Sequence, residues 1–344
     1  MGVFLRFQVK DMNLQGMDLL TDRFGRKHDY LRISLTDACN FRCAYCMPDE
    51  AYDFMPKHAL MQVDEIRRLA ALFVSLGVNK IRLTGGEPLA RPDFREIIQA
   101  LQPLGVELLL TTNGSLIHRY IDALKDAGMR SVNVSLDTLR PERFAAMTRR
   151  DRFARVWDNI QLLLQEGFRV KINAVAMKGR IEDELLDFVA LTREQPLHIR
   201  FIEFMPFAGN AWDSRQVLSA GQMLSLIGLH FPLTKLNDEP HATARKYQVP
   251  GHAGTFAFIT TMSEHFCGDC NRLRLTAEGK MKNCLFGSEE IDLLTPLRQG
   301  REIAPLIAAS VQAKHAAMGG QFSLEGLAEP AGELVNRSMI AIGG

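Results

Sequence analysis

Six cysteines stand in two groups of three in this 344-residue chain, and they carry its most specific chemistry. Cys39, Cys43 and Cys46 form a CxxxCxxC run; Cys267, Cys270 and Cys284 follow far downstream. Three thiolates this close can bind three irons of a [4Fe–4S] cluster and leave the fourth iron open to a small molecule. Zinc is the competing occupant. A structural zinc ion wants four ligands; no fourth Cys or His lies near the first triad, whereas His265 is near enough to complete the second. No cysteine is left over, and cysteines grouped this way read as metal or redox sites in a reducing compartment rather than disulfides.

Two further patterns belong with the triads. Thr84-Gly85-Gly86-Glu87-Pro88 is a glycine-rich turn ending in an acid and a stiffening proline. Alone it reads as an ordinary strand-to-helix turn. Arg272-Leu273-Arg274 directly follows a cysteine. On a strand its two guanidiniums share one face, either a solvated face or a phosphate clamp. Arg32, Lys80, Arg82, Lys171 and Arg200 also fall on expected strands. They form a structural network with acids or surround an anionic ligand, since buried cations need anions.

The elements that must position these residues alternate. β-rich runs are expected at Tyr30–Leu35, Lys80–Thr84, Glu107–Thr112, Ser131–Leu136, Arg169–Ala176 and His198–Phe204. Helical periodicity is expected at Asp64–Leu76, Asp93–Leu101, Ile117–Ala127, Phe153–Gln165 and Glu182–Thr192, with Gly77, Gly128 and Gly167 as C-terminal caps. Six β–α units predict an α/β fold: a parallel, partial (β/α)6 TIM-type barrel with functional residues at the carboxyl ends of the strands. A doubly wound sheet is the competing topology. After about residue 210 the pattern changes to turns, short strands at Thr255–Thr260, Arg272–Thr276 and Lys280–Leu285, and helices near Ile291–Gln299 and Glu302–Lys314. This region is expected to fold against the open side of the barrel. The expected organisation is a loosely held lead-in over 1–25, a barrel over 26–225 and a C-terminal region over 226–344.

Composition sets limits. The apolar fraction of 47% suffices for a sizeable core, and a net charge of +1 offers no global field for nucleic acid. No run suits a membrane span, the N-terminus lacks a secretory pattern, and Arg6 occupies the position where a myristoylation signal has Ser or Thr. A cytoplasmic protein is expected. Met12 and Met17 are alternative starts.

CxxxCxxC with an aromatic residue, Tyr45, before its last cysteine resembles the radical S-adenosylmethionine (SAM) superfamily, and TGGEP resembles that superfamily's SAM-binding turn. The resemblance implies a [4Fe–4S] cluster on Cys39, Cys43 and Cys46 whose open iron is chelated by SAM. It further implies a SAM site lined by Tyr45, Gly86, Glu87, Asn113, Ser135 and Met205, with Glu87 accepting from the SAM ammonium. Within the superfamily, YLRISLTDACNFRCAYCMP, KIRLTGGEPLAR, LTTNG, VNVSLD, KINAV, RFIEFMP, the segments around Cys267–Leu275 and Asn283–Phe286, and the final Gly343-Gly344 are similar to the GTP 3′,8-cyclases of molybdenum-cofactor biosynthesis.

That family implies a lyase with a second [4Fe–4S] cluster on Cys267, Cys270 and Cys284, facing guanine. It implies GTP contacts from Arg32, Lys80, Arg82, Thr111, Lys171, Arg200, Arg272, Leu273 and Arg274, and a catalytic Gly343-Gly344 tail reaching the active site. A 5′-deoxyadenosyl radical takes the ribose C3′ hydrogen, and C3′ joins guanine C8 to give 3′,8-cyclo-7,8-dihydro-GTP. A homodimer, a flavodoxin- or ferredoxin-type reductant and a downstream cyclic pyranopterin monophosphate synthase follow from the same resemblance. The rivals are a radical SAM peptide-modifying maturase with an auxiliary cluster and a non-enzymatic module with two zinc sites.

Overall fold

The computed structural model describes residues 18–47, 52–321 and 336–343. Residues 1–17 of the expected lead-in, and Gly344, lie outside the described residues. The strands are β1 Tyr30–Ser34, β2 Lys80–Thr84, β3 Glu107–Thr112, β4 Ser131–Ser135, β5 Arg169–Ala176, β6 His198–Glu203, β7 Thr234–Lys235, β8 Ala244–Gln248, β9 Thr255–Ile259, β10 Arg272–Leu275, β11 Lys280–Lys282 and β12 Ile291–Asp292. The helices are α1 Val63–Ser75, α2 Phe94–Leu101, α3 Ile121–Asp126, α4 Pro141–Thr148, α5 Phe153–Gln165, α6 Leu185–Ala190, α7 Ala220–Gly228, α8 Leu294–Arg298, α9 Ala304–Gln312 and α10 Met339–Ile342.

Alternation along each strand separates two environments. In β5, Val170, Ile172, Ala174 and Ala176 are buried, while Lys171, Asn173 and Val175 between them are only partly buried. The buried set belongs to one apolar core with the helix stripes, such as Ile66, Leu69, Ala70 and Phe73 of α1. The other set faces the barrel interior. β1 to β6 pair in chain order, all parallel. That order excludes the doubly wound alternative, whose strand order reverses at a switch point.

The C-terminal region adds more than a cover. β10 pairs parallel to β1, and β9 pairs parallel to β6. The barrel thus has eight parallel strands, extended by antiparallel β11–β12 on one edge and β8–β7 on the other. It is a partial TIM-type barrel whose C-terminal extension carries on both edges of the sheet.

Several expected elements differ. The segment Ile117–Ala127 breaks into a 3-10 turn at Ile117–Arg119 and the short α3. Ile291–Gln299 begins as β12, because Asp292 Oδ1 accepts from Leu294 N (2.9 Å) and Thr295 N (3.1 Å) and so starts the helix later. α4, α7 and β8 were not expected. α7 is announced by Ser219, whose hydroxyl accepts from Gln222 N in a capping box. Residues 18–25 are not loose: Leu20 and Asp22 are buried, and Thr21 bridges Lys27. A second apolar cluster of Phe204, Phe207, Trp212, Phe286 and Ile342 lies apart from the main core and seats α10.

Candidate active site: two cysteine triads and a basic channel

The first triad follows β1. Cys39, Cys43 and Cys46 are free thiols facing one cavity of about 190 Å³, bounded by the carboxyl ends of β2 to β6 and by Ile340 of α10. The glycines of the TGGEP turn hold the cysteine loop rather than open space for a ligand. A Cβ on Gly86 would meet Ala38 O at 2.4 Å, and one on Gly85 would meet Thr36 O at 2.6 Å. The close approach allows Gly86 N to donate to Thr36 O (2.6 Å) and Glu87 N to Ala38 O (2.9 Å).

Of the expected SAM contacts, Tyr45, Gly86, Asn113 and Ser135 line this cavity, and Thr111 lines it too. Glu87 and Met205 do not. Glu87 is fully buried and accepts from Thr112 Oγ1 (2.7 Å), Leu89 N (3.0 Å) and Asn113 N (2.6 Å), so it positions the Asn113 turn. Met205 packs in the second apolar cluster, its carbonyl held by Asn210 Nδ2 (2.8 Å). Asp137, just past β4, was not among the expected contacts. Its carboxylate accepts from Tyr45 OH (2.8 Å) and Val175 N (2.9 Å) at the cavity wall.

Among the described residues, the one acid in the cavity wall is Asp137, and burial holds it and its neighbours toward their protonated forms. Burial pushes the Glu87 carboxyl up to about 7, and burial raises Asp137 as well. Burial, then Glu87, pushes the Cys39 thiol up to about 11. Burial, then Cys39 and Asp137, pushes Cys46 up to about 12.

The second triad lines a smaller cavity of about 80 Å³ with His265, Arg272 and Arg274. Leu273, between the arginines, is fully buried in the main core and offers this site no side chain. Arg26 donates to Cys267 O (2.7 Å), His315 O (2.8 Å) and Ala316 O (2.7 Å), tying the segment before β1 to the cysteine loop. Among the described residues no three His, Cys, Asp or Glu side chains gather as one metal ion requires. Three thiols with no fourth cysteine at each cavity are the donor set of a [4Fe–4S] cluster with one open iron.

The cations form rows. Arg274, Arg32 and Arg82 are register partners across β10, β1 and β2; Arg272, Tyr30, Lys80 and Glu107 form the row below. Strand neighbours lie about 4.8 Å apart, so these like charges repel unless an anion joins them. A cavity of about 300 Å³ at the amino ends of the strands is walled by seven Lys and Arg against two Glu. Lys80, Arg82, Lys171, Arg200 and Arg272 belong to it. This is the barrel end opposite the one expected from strand-end residues. Lys80 is half-exposed there and pairs with Glu107 at 3.0 Å. Arg82 donates to Leu110 O (2.9 Å) and Thr111 Oγ1 (3.4 Å), joining the basic cavity to the first-triad cavity; Arg272 lies in the walls of both the basic and second-triad cavities.

Burial, then Arg200, pushes Lys171 down to about 8; burial, then Arg82, pushes Arg200 down to about 9. The Nε atoms of Arg200 and Arg272 are buried without hydrogen-bond partners. His198, Arg169 and Lys246 also stand in this wall and were not expected. The alternating run ARKYQ between two turn-rich stretches is the signal that would have given β8 and Lys246.

α10 carries the C-terminal tail across both triads. Asn336 Nδ2 donates to Leu285 O (3.2 Å), and Arg337 pairs with Glu278 and Glu290. An Ile340 backbone group hydrogen-bonds Cys46, and Gly343 O accepts from Arg274 Nη1 (2.9 Å). Gly343 has φ 83°, and a Cβ there would meet Thr84 Oγ1 at 2.7 Å, so only glycine suits the position.

The sequence matches the Radical SAM superfamily over residues 33–192 and Molybdenum Cofactor Synthesis C over residues 197–319. It is 46% identical to the Arabidopsis thaliana protein named "GTP 3',8-cyclase, mitochondrial", over 98% of this chain and 86% of that one. This chain belongs to the GTP 3′,8-cyclase family of radical SAM enzymes. A family member from Pelotomaculum thermopropionicum, also named "GTP 3',8-cyclase", is 43% identical over 86% of this chain and 94% of its own. The mouse relative named "Molybdenum cofactor biosynthesis protein 1" is 48% identical over 99% of this chain, which spans about half of that protein, 54%. Among solved structures, Streptococcus suis SuiB bound to S-adenosylmethionine has a TM-score of 0.54 at 15% identity, covering 78% of this chain and 65% of that one. It shares the fold. No helix among the described residues is long and apolar enough to cross a membrane.

Proposed function

We propose that this chain is a GTP 3′,8-cyclase, the first radical step of molybdenum-cofactor biosynthesis. The observation that carries the reading is the pair of cysteine triads joined by a channel of inward-facing, register-matched cations. The first triad would hold the [4Fe–4S] cluster that binds SAM, and the second an auxiliary [4Fe–4S] cluster facing GTP. When bound, these groups would supply the 5′-deoxyadenosyl radical that takes the C3′ hydrogen of GTP; C3′ then joins C8, and one further electron from the reductant and one proton complete the 7,8-dihydro product.

The residues divide the remaining work. Asp137, in the wall of the first cavity, can meet a cationic ligand there, while Glu87 positions the Asn113 turn behind it. Lys171, Arg200, Arg82, Lys80 and Arg272 hold the triphosphate, and Arg32 and Arg274 extend that row toward the second triad. The tail of α10 separates the site from water, with Arg274 holding its Gly343 carbonyl. The barrel over 26–225 carries the first cluster, SAM and most of the triphosphate cations, and 226–344 carries the second cluster with Arg272 and Arg274; the two share one sheet. A cytoplasmic location, a homodimer, a flavodoxin- or ferredoxin-type reductant and a downstream cyclic pyranopterin monophosphate synthase complete the proposal. The maturase alternative is not favoured, since relatives above 40% identity are named GTP 3′,8-cyclase.

The test is anaerobic incubation of the iron-loaded protein with SAM, GTP and dithionite. About eight irons per chain, 5′-deoxyadenosine and 3′,8-cyclised GTP by mass spectrometry are expected. 5′-Deoxyadenosine with unchanged GTP would refute the substrate; zinc without iron would refute the enzyme class.

A further inference from the structure

Behind the second triad lies a cation that the nucleotide channel does not use. Lys314 follows α9 and is only 2% exposed. Its Nζ lies 3.6 Å from Cys270 Sγ and 3.1 Å from Arg272 O. Among the described residues it makes no ion pair with a carboxylate. The buried acid Asp22 is taken by Arg26 at 2.7 Å and by the buried ring of His28 at 3.7 Å. A buried ammonium without an anion is costly, yet this one is braced. Arg26 ties together the carbonyls of His315, Ala316 and Cys267, so the turn carrying Lys314 and the CxxC loop move as one piece. A second donor points the same way: Met318 N lies 3.4 Å from Cys267 Sγ.

Resting on the reading that the second triad holds a [4Fe–4S] cluster, we infer that Lys314 is the built-in counter-ion of that cluster. It donates a hydrogen bond to the Cys270 sulfur and favours the cluster's reduced, more negative state. Donors to cluster sulfurs and local charge are among the terms that set cluster potentials. Among the described residues no cationic side chain donates to a sulfur of the first triad. Phe41 N and the neutral Asn113 amide meet Cys39 Sγ at 3.4 and 3.8 Å, an Ile340 backbone group bonds Cys46, and Arg42 donates to the Cys39 carbonyl (2.6 Å) rather than to its sulfur. Lys314 is therefore a positioning and tuning residue and touches no substrate atom.

The test uses the full, anaerobically iron-loaded chain and its Lys314→Met and Lys314→Arg variants. Iron is counted, and each cluster's midpoint potential is read by electron paramagnetic resonance while dithionite supplies the one electron. SAM is present to set the first cluster's signal apart. Lys314→Met is expected to keep the iron content and disfavour reduction of the second cluster at least tenfold, about 59 mV for one electron. The first cluster's potential should stay fixed, and Lys314→Arg should recover most of the shift. If Lys314→Met loses the second cluster's irons while Lys314→Arg keeps them, the counter-ion role also stands. An unchanged second potential, equal shifts in both clusters, or iron loss in both variants would overturn it. Only about four irons in the unaltered chain would instead refute the second-cluster reading itself.

Discussion

The two cysteine triads have the same donor set and opposite surroundings. Each offers three free, partly buried thiols to one cavity. Around the first stand Asp137 and Glu87, and every thiol is pushed upward by burial with acids adding to it. Around the second stand Lys314, Arg272, Arg274 and Arg26. Burial alone would raise Cys270, yet Arg272 and Lys314 bring it down to about 7. Identical ligands are thus divided by charge: one end prepared for a cationic sulfonium, the other for a nucleotide triphosphate. The fold makes the division possible because β10 joins the barrel beside β1, bringing residues some 240 apart in sequence into one register row.

The comparison breaks most sharply at the cysteines. Cys43→Ala should reduce 5′-deoxyadenosine formation to background, whereas Cys270→Ala should abolish cyclised GTP and leave SAM cleavage measurable. Product-resolved mass spectrometry separates the two. Next, Arg274→Ala removes a buried cation that also holds the tail, at a cost of about 3–5 kcal/mol. Cyclisation should fall by ~10³-fold while SAM cleavage is spared; equal loss of both would deny the division of labour.

Lys171 sharpens the picture through pH. With burial and Arg200 holding it at about 8, it is charged below that pH and loses its charge as pH rises through it. GTP affinity, measured by equilibrium binding to the loaded enzyme, should therefore weaken above pH 8. Lys171→Met should weaken binding by roughly tenfold, about 1.4 kcal/mol, and flatten that pH dependence. The smallest effect is expected at Gly343→Ala. The new Cβ would press on Thr84 Oγ1 and Ser34, lowering cyclisation by ~10-fold, about 1.4 kcal/mol.

Much of this arrangement was legible in the chain. The β2, β3 and β5 boundaries follow from alternation, and the glycine caps Gly77, Gly128 and Gly167 do adopt positive φ. The cysteine spacing and Arg272–Arg274 parity put the right side chains on one face. Other features depend on long-range contacts that no local pattern contains. Glu87 is expected to meet SAM from the resemblance of TGGEP to the superfamily's SAM-binding turn, whereas in the fold it accepts from Thr112 at the end of β3 and from Asn113 just beyond it. Leu273 was swept in with its neighbours, although strand parity sends it to the core. The basic cavity sits at the amino ends of the strands because inward-facing cations occupy the early positions of β2, β5, β6 and β10, and only the curved order of strands shows that they converge. Arg26 and Lys314 were missed because each acts on backbone or sulfur atoms remote in sequence.

The most direct test of the divided site is an iron-loaded variant lacking the second triad, with Cys267, Cys270 and Cys284 all changed to alanine, assayed anaerobically with SAM, GTP and dithionite. The account predicts about four irons per chain, continued 5′-deoxyadenosine formation and no cyclised GTP. Cyclised GTP at the unaltered rate, or loss of SAM cleavage with the first cluster intact, would contradict it.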